Sequence, residues 1–171
     1  PLILILTALI LITGKGPVIY SQERKGKDGK IFEIYKFKSL KHRIVEDHDL
    51  ITARDDKRIT RIGRFMRKFK LDEIPNFINV LKGEMSVVGP RPEQGYYIDK
   101  IVLLAPQYTE LLKIKPGITS WGQVKYGYAS TVNEMIERLQ YDIYYLENRS
   151  FLFDLKILFY TVGIVLKGKG I

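Results

Sequence analysis

The sequence predicts an α+β fold that is mostly helical, and three observations carry that expectation. Apolar residues recur at helical spacing through most of the chain beyond Lys57. Two runs rich in β-branched and aromatic residues flank an Asp-Gly turn nearer the N-terminus. The chain has 171 residues, 46% of them hydrophobic, enough for one domain to bury a core, and it contains no internal repeat.

Pro1 through Ile12 is apolar except for Thr7. As a helix this run reaches only about 18 Å at 1.5 Å per residue, short of a ~30 Å hydrocarbon core. A signal peptide fits poorly, because no basic n-region precedes the run and no small-residue cleavage site follows it. A buried core helix and the second half of a membrane segment both fit, and so apolar an exposed run favours the membrane. Thr13-Gly14-Lys15-Gly16-Pro17 then turns the chain. Val18 to Gln22 and Ile31 to Phe37 read as strands of a β-hairpin, joined through Lys25-Gly26-Lys27-Asp28-Gly29-Lys30. The second strand carries Phe32 and Ile34 on one face, Tyr35 and Phe37 on the other. Ser39 to Asp56 is charged and aperiodic, and reads as a mobile loop.

From about Lys57 to Phe69 the period is helical. Ile59, Ile62, Phe65, Met66 and Phe69 form one stripe, with Arg58, Arg61, Arg64 and Lys68 elsewhere. Such a basic amphipathic helix suits an anionic membrane surface, and equally a solvated charged face on a core helix. The next helix is expected from Asp72 to Lys82, with apolar positions at Ile74, Phe77, Ile78 and Leu81. Asp72 would cap it, Pro75 is tolerable in its first turn, and Gly83 would stop it. Further helical patterns run from about Glu93 to Lys113, broken near Pro106, and from Thr131 to Leu146. Lys115 to Gly122 between them is loop or short extended structure. Phe151 to Leu166 is apolar nearly all round yet holds Asp154 and Lys156, which suits an interfacial or groove-lining helix.

A net charge of +9 points to a polyanionic partner: nucleic acid, anionic lipid or a phosphorylated substrate. The absence of cysteine excludes disulfides and thiolate metal sites. The only two histidines, His42 and His48, fall in a polar stretch, which argues against a histidine metal site or a serine triad. No Walker-type loop or dinucleotide fingerprint occurs. Trp121 reads as a core residue rather than a ligand platform.

The residues best placed for chemistry are Asp72 and Glu73. Adjacent on a helix, their side chains diverge by about 100°, so they do not form one symmetric dyad. At a first turn the helix dipole would hold both ionised, ready to ligate a cation or attack phosphorus. A simple N-cap followed by an acidic first-turn residue fits the same spacing. Further on, Gly89-Pro90-Arg91-Pro92 fixes the backbone around Arg91, whose planar guanidinium suits bidentate contact with phosphate. A rigid turn with an exposed arginine fits as well. Arg67 could neutralise a carboxylate or a phosphate, and Asp154 in its apolar helix needs a cation or hydrogen bonds.

Together these blocks resemble the bacterial sugar transferase family, the monotopic phosphoglycosyl transferases acting on polyprenyl phosphates. The matching stretches begin with Gly16-Pro17-Val18-Ile19-Tyr20-Ser21-Gln22-Glu23-Arg24, Ile34-Tyr35-Lys36-Phe37-Lys38-Ser39 and Leu71-Asp72-Glu73. They continue with Asn79-Val80-Leu81-Lys82-Gly83-Glu84-Met85-Ser86, Val88-Gly89-Pro90-Arg91-Pro92, Lys115-Pro116-Gly117-Ile118-Thr119 and Trp121-Gly122-Gln123-Val124. Tyr141-Asp142-Ile143-Tyr144-Tyr145 and Ser150-Phe151-Leu152-Phe153-Asp154-Leu155-Lys156 complete them.

The resemblance implies transfer of a sugar 1-phosphate from a UDP-sugar to polyprenyl phosphate, releasing UMP. Asp72 matches the nucleophile that forms a covalent phosphosugar intermediate. Glu73 matches the second acid, and the pair would hold Mg²⁺. Arg91, with Lys38, would bind substrate phosphate, and Arg67 and Asp154 match a pair that organises the site. The resemblance further implies a re-entrant membrane helix, with Pro1 matching its bending proline and residues 1–12 its second half. The lipid bilayer is therefore an expected partner, nucleic acid is not, and homo-oligomerisation stays open. The expected location is the cytoplasmic face of the bacterial inner membrane. Lys125-Tyr126-Gly127-Tyr128 stands where smaller members carry Asn-Gly-Arg and resembles larger, exopolysaccharide-type members. A non-catalytic domain binding anionic membrane is the alternative reading.

Overall fold

A computed structural model describes residues 1–13, 17–40, 56, 58–168 and 170. His42, His48 and most of the expected loop from Ser39 to Asp56 lie outside the described residues. The fold is α+β and mostly helical. Helix α1 (Leu2–Thr13) leads into β1 (Ile19–Lys25) and β2 (Ile31–Phe37), which pair antiparallel from Ile19 opposite Phe37 to Lys25 opposite Ile31. The hairpin is longer than expected, because β1 runs on to Lys25. Its turn is compressed into one 3₁₀ turn in which Asp28 and Gly29 both take positive φ, 57° and 72°. That is the conformation an Asp-Gly pair supplies at least cost.

Helix α2 (Arg61–Lys68) begins four residues later than the sequence pattern suggested. Ile59 is held extended in a bridge to Leu40, and the Thr60 side chain caps the helix by accepting from the Gly63 amide at 2.9 Å. Met66 from its apolar stripe packs with Phe37 and with Leu6 and Ile10 of α1, while Phe65 stays exposed.

The next expected helix is divided. Asp72 and Glu73 lie in a separate 3₁₀ turn (Leu71–Glu73), and α3 (Asn76–Leu81) starts only after Pro75. Asp72 therefore does not cap α3, as the sequence reading had it. The amphipathicity of α3 is also inverted. Asn76 and Asn79 are buried, whereas Phe77, Ile78 and Leu81 are exposed. Asn79 explains the inversion: its side-chain oxygen accepts from the Tyr35 amide at 3.2 Å, and its amide donates to the Glu33 carbonyl at 2.6 Å and to Glu84 at 2.8 Å. This bonding ties α3 to β2.

Helix α4 (Gly95–Leu104) breaks at Pro106 into a 3₁₀ segment (Pro106–Lys113), and both pack on α6 (Val132–Glu147) through Ile98, Ile101, Tyr108, Leu111, Met135 and Leu139. Thr131 and Glu134 form a reciprocal capping box that starts α6 where the sequence predicts. Helix α7 (Phe151–Leu166) has the expected bounds, with Ser150 as its cap. Trp121, at the start of the short helix α5 (Trp121–Lys125), is core, packed with Val88, Tyr145 and Ile157. Among the described residues no helix is long and apolar enough to cross a membrane.

Two short parallel strands, β3 (Ser86–Val88) and β4 (Gly117–Thr119), position the Pro90-Arg91-Pro92 segment. The Gly89 amide donates to the Thr119 carbonyl, and the Gly117 amide donates to the Pro90 carbonyl. The two backbones approach so closely that a Cβ on Gly117 would stand 2.1 Å from the Gly89 nitrogen. Beyond the prolines, Glu93 accepts a 2.6 Å bond from Arg138 of α6, both residues buried, and the Glu93 carbonyl accepts from the Lys25 amide. The arginine loop is thus fixed on both sides. Gly117→Ala is expected to force the strands apart at a cost of about 1–3 kcal/mol, the usual range for overpacking. A thermal melt checks this, and an unchanged Tm would show that the close approach is not needed.

Candidate active site

The acidic pair sits where α2 ends. Lys70 takes left-handed backbone angles (φ 52°, ψ 24°), uncommon for a residue with a Cβ, and this reverses the chain so that the following 3₁₀ turn points inward. Asp72 and Glu73 are both buried, at 8% exposure each. Burial of two adjacent carboxylates demands compensation, and the surrounding chain supplies it unequally.

Glu73 receives nearly all of the direct pairing. Its Oε1 accepts from Lys36 Nζ at 2.6 Å and from Arg91 Nη1 at 3.3 Å. Burial alone would raise its pKa, but Lys36, Arg91 and Lys70 outweigh burial and hold the carboxyl well below the usual range. Lys36 and Lys70 are both pushed down, chiefly by burial, with Glu73 opposing. For Arg91, burial is outweighed by Glu73 and Glu93, and its guanidinium is held more firmly charged.

Asp72 stands in the opposite condition. Burial first, and then the neighbouring Glu73 charge, raise its pKa, while Lys36 and Arg67 oppose the rise without cancelling it. This corrects the dipole argument, which had both acids kept ionised at a helix start. One acid is locked as an anion by cations, and the other holds its proton more tightly than an ordinary aspartate.

The structure therefore brings Asp72, Glu73 and Arg91 together, with Arg67 near enough to act on Asp72 through its charge. Arg67 also donates from Nε to Ser39 Oγ at 2.9 Å. Asp154 is stabilised elsewhere, accepting from the Tyr145 hydroxyl at 2.8 Å where α6 meets α7. The hydrogen bonds seen for Arg67 and Asp154 thus run to different partners. Lys38 continues the strand beyond Phe37 with its amide bonded to the Val18 carbonyl, and the lysine that ion-pairs Glu73 is Lys36.

Lys36 is the site residue to which sequence reasoning gave no role. It shares a strand face with the buried Phe32 and Ile34, so the period of two places a lysine at a core position. Arg24 was likewise unassigned. Its Nη2 donates to Gln22, its Nε is buried without a partner among the described residues, and the charges of Glu93, Arg91 and Glu73 act on it.

Among the described residues no group of three or more His, Cys, Asp or Glu side chains could hold a metal ion. A cation here would depend on Asp72 and Glu73 alone, with water or ligand oxygens for its remaining positions. Mg²⁺ accepts that arrangement, since one or two carboxylates commonly hold it alongside phosphate and water.

Comparison with known proteins places the chain in a family. The sequence model described as bacterial sugar transferase matches residues 1–168. The chain is 41% identical over 171 residues to the UDP-N-acetylgalactosamine-undecaprenyl-phosphate N-acetylgalactosaminephosphotransferase of Aeromonas hydrophila, covering 99% of this chain and 40% of that protein. It is 40% identical over 164 residues to the UDP-glucose:undecaprenyl-phosphate glucose-1-phosphate transferase of Klebsiella pneumoniae, covering 95% of this chain and 35% of that protein. The chain thus spans well under half the length of these two relatives. Against the uncharacterized sugar transferase EpsL of Bacillus subtilis (strain 168) it is 37% identical over 170 residues, 99% of this chain and 80% of that protein. With matches that run almost from end to end, the chain belongs to the bacterial sugar transferase family.

Proposed function

We propose that this chain is a catalytic domain that transfers a sugar 1-phosphate from a UDP-sugar to polyprenyl phosphate. The observation that carries the reading is the unequal treatment of two adjacent buried acids. Glu73 is engaged by Lys36 and Arg91, while Asp72 has no ion pair among the described residues and is left to react once deprotonated. The names of the relatives, which specify UDP-sugars and undecaprenyl phosphate, support the choice of substrates.

The reaction proceeds as two displacements. An Asp72 carboxylate oxygen attacks the phosphorus that bears the sugar, and the phosphoanhydride bond breaks with its electron pair leaving on UMP. An oxygen of polyprenyl phosphate then attacks the aspartyl phosphosugar. The acyl phosphate bond breaks, Asp72 is restored, and a polyprenyl-diphosphate sugar leaves. Arg91 and the lysines around Glu73 offset the diphosphate charge, which otherwise repels an anionic nucleophile. Arg67 acts on the Asp72 charge, and Lys38, which follows β2, is assigned as a second phosphate contact. Mg²⁺ held by Asp72 and Glu73 would supply further charge neutralisation at the diphosphate.

The proposed setting is the cytoplasmic face of the inner membrane. Supporting it are the exposed apolar residues of α1 (Leu4, Ile12), of α3 (Phe77, Leu81) and of α7 (Phe151, Phe159). On this reading α1 is the second half of a re-entrant membrane helix.

Labelled UMP should exchange into a UDP-sugar, drawn from a panel, without polyprenyl phosphate present. Asp72→Asn should abolish the exchange. Persistence of exchange in that variant would remove Asp72 as nucleophile. Its stability has a definite sign. A carboxyl whose folded pKa lies above its usual 3.8 loses stability as pH rises from there through the folded value. The neutral asparagine escapes this loss, so Asp72→Asn should melt above the parent at pH 7. Exchange in the parent should rise with pH through an apparent pKa above 3.8.

Lys36→Met removes one partner of a buried carboxylate, a change that typically costs about 3–5 kcal/mol. Glu73 has a depressed pKa, so the stability it contributes is present above its usual 4.5 and lost as pH falls through the folded value. The difference between parent and variant in denaturant melts should therefore shrink on acidification. A constant difference would mean that the ion pair is not its source. Exchange is also expected to stop in EDTA and resume when Mg²⁺ is restored. Full activity in EDTA would exclude a metal held by the two acids.

A further inference from the structure

Trp121 is the chain's only tryptophan, and it packs edge-on against Phe153 and Tyr160 of α7, with ring centroids 5.1 and 6.1 Å away. Two lysines lie against its indole. Lys125 Nζ is 4.8 Å from the ring centroid and Lys156 Nζ is 5.6 Å from it. Lys125 also lies 5.4 Å from the Tyr160 ring. Both lysines are exposed, and among the described residues neither ion-pairs with a carboxylate. The aromatic ring attracts each ammonium, but it does not neutralise the charge. An anion would.

The surface beside these lysines shows which anion. Phe151, Leu152, Leu155, Phe159, Val162 and Leu166 are all exposed. At 100° per residue they fall within an arc of about 100° on α7. Lys156 lies about 40° past the edge of that arc, on the side facing Trp121, with Tyr160 beyond it. A helix lying in a bilayer surface on this arc would hold Lys156 at its rim, level with lipid headgroups.

We propose that Lys125 and Lys156, over the Trp121–Tyr160 floor, bind the phosphate of an anionic membrane lipid. The site would orient the domain on the bilayer and is separate from the carboxylates at Asp72 and Glu73. It rests on the membrane placement given under Proposed function and adds the group that recognises the lipid. Because Trp121 is the only indole, its fluorescence reports on the site directly.

The test uses the whole chain, with vesicles of phosphatidylcholine alone and of phosphatidylcholine mixed with phosphatidylglycerol. Binding is read by flotation and by Trp121 emission. The parent should bind both, bind the anionic vesicles roughly tenfold more tightly at low salt, and show an emission change specific to them. Lys125→Gln with Lys156→Gln should retain binding to neutral vesicles and lose that preference and the emission change. Lys27→Gln with Lys30→Gln, on the hairpin turn, removes the same charge and should keep both. Equal losses in the two double variants would overturn the site in favour of diffuse attraction. Inorganic phosphate producing the full emission change without vesicles would overturn the lipid assignment. Binding to both vesicle types without preference would overturn the site and leave the membrane placement standing. Failure to bind any vesicle would overturn both.

Discussion

The ion pairs at Glu73 hold the site together. Its Oε1 is shared by Lys36 from β2 and Arg91 from the loop after β3. Three segments, 37 and 18 residues apart along the chain, meet at one atom. A buried ion pair adds little net stability, because desolvation cancels most of its attraction, but breaking it leaves a charge stranded. It therefore acts chiefly as a constraint on geometry. The hairpin cannot slide along the acidic turn, nor can the arginine loop swing away, without exposing an unpaired charge to an apolar surround.

This constraint also separates the roles of the two acids. Two carboxylates one residue apart repel each other in a desolvated site, and the partner that gains cations ionises first. Glu73 gains them, so the cost of the second charge falls on Asp72. Environment assigns different proton affinities to chemically similar groups, as it does wherever paired carboxyls divide the work. The left-handed backbone at Lys70 starts the separate turn in which both carboxylates are buried, and there Glu73 meets Lys36 and Arg91.

Much of the fold was legible in the sequence. The capping box at Thr131 and Glu134, the cap at Ser150 and the β-branched and aromatic run from Ile31 to Phe37 each mark an element by local chemistry that tertiary packing then keeps. Asp72, Glu73 and Arg91 were legible as a set only through the ordered family resemblance around them, since the local pattern alone fitted a helix cap at Asp72 and an exposed arginine in a rigid turn. Lys36 was not, because the period of two puts it on the face of Phe32 and Ile34 without saying which acid it meets. The direction of α3 was also illegible. Its apolar stripe is real, but periodicity gives the existence of a face and not what the face meets. In water it would turn inward, and here Asn79 holds the polar side inward through three hydrogen bonds.

That inversion bears on where the chemistry occurs. Phe77 follows Asp72 by five residues, and at the rise of a 3₁₀ or α turn the two backbones are within about 10 Å of each other along the chain. An apolar face turned outward so near the acids would be costly in water, at roughly 25 cal/mol for each Å² left exposed. Against a bilayer the cost disappears, and α3 then fixes the depth of the acidic turn. A polyprenyl chain keeps its phosphate at that same boundary, because its tail is apolar and its head is charged. The helix that sequence periodicity placed the wrong way round is, on this reading, what brings Asp72 level with the acceptor.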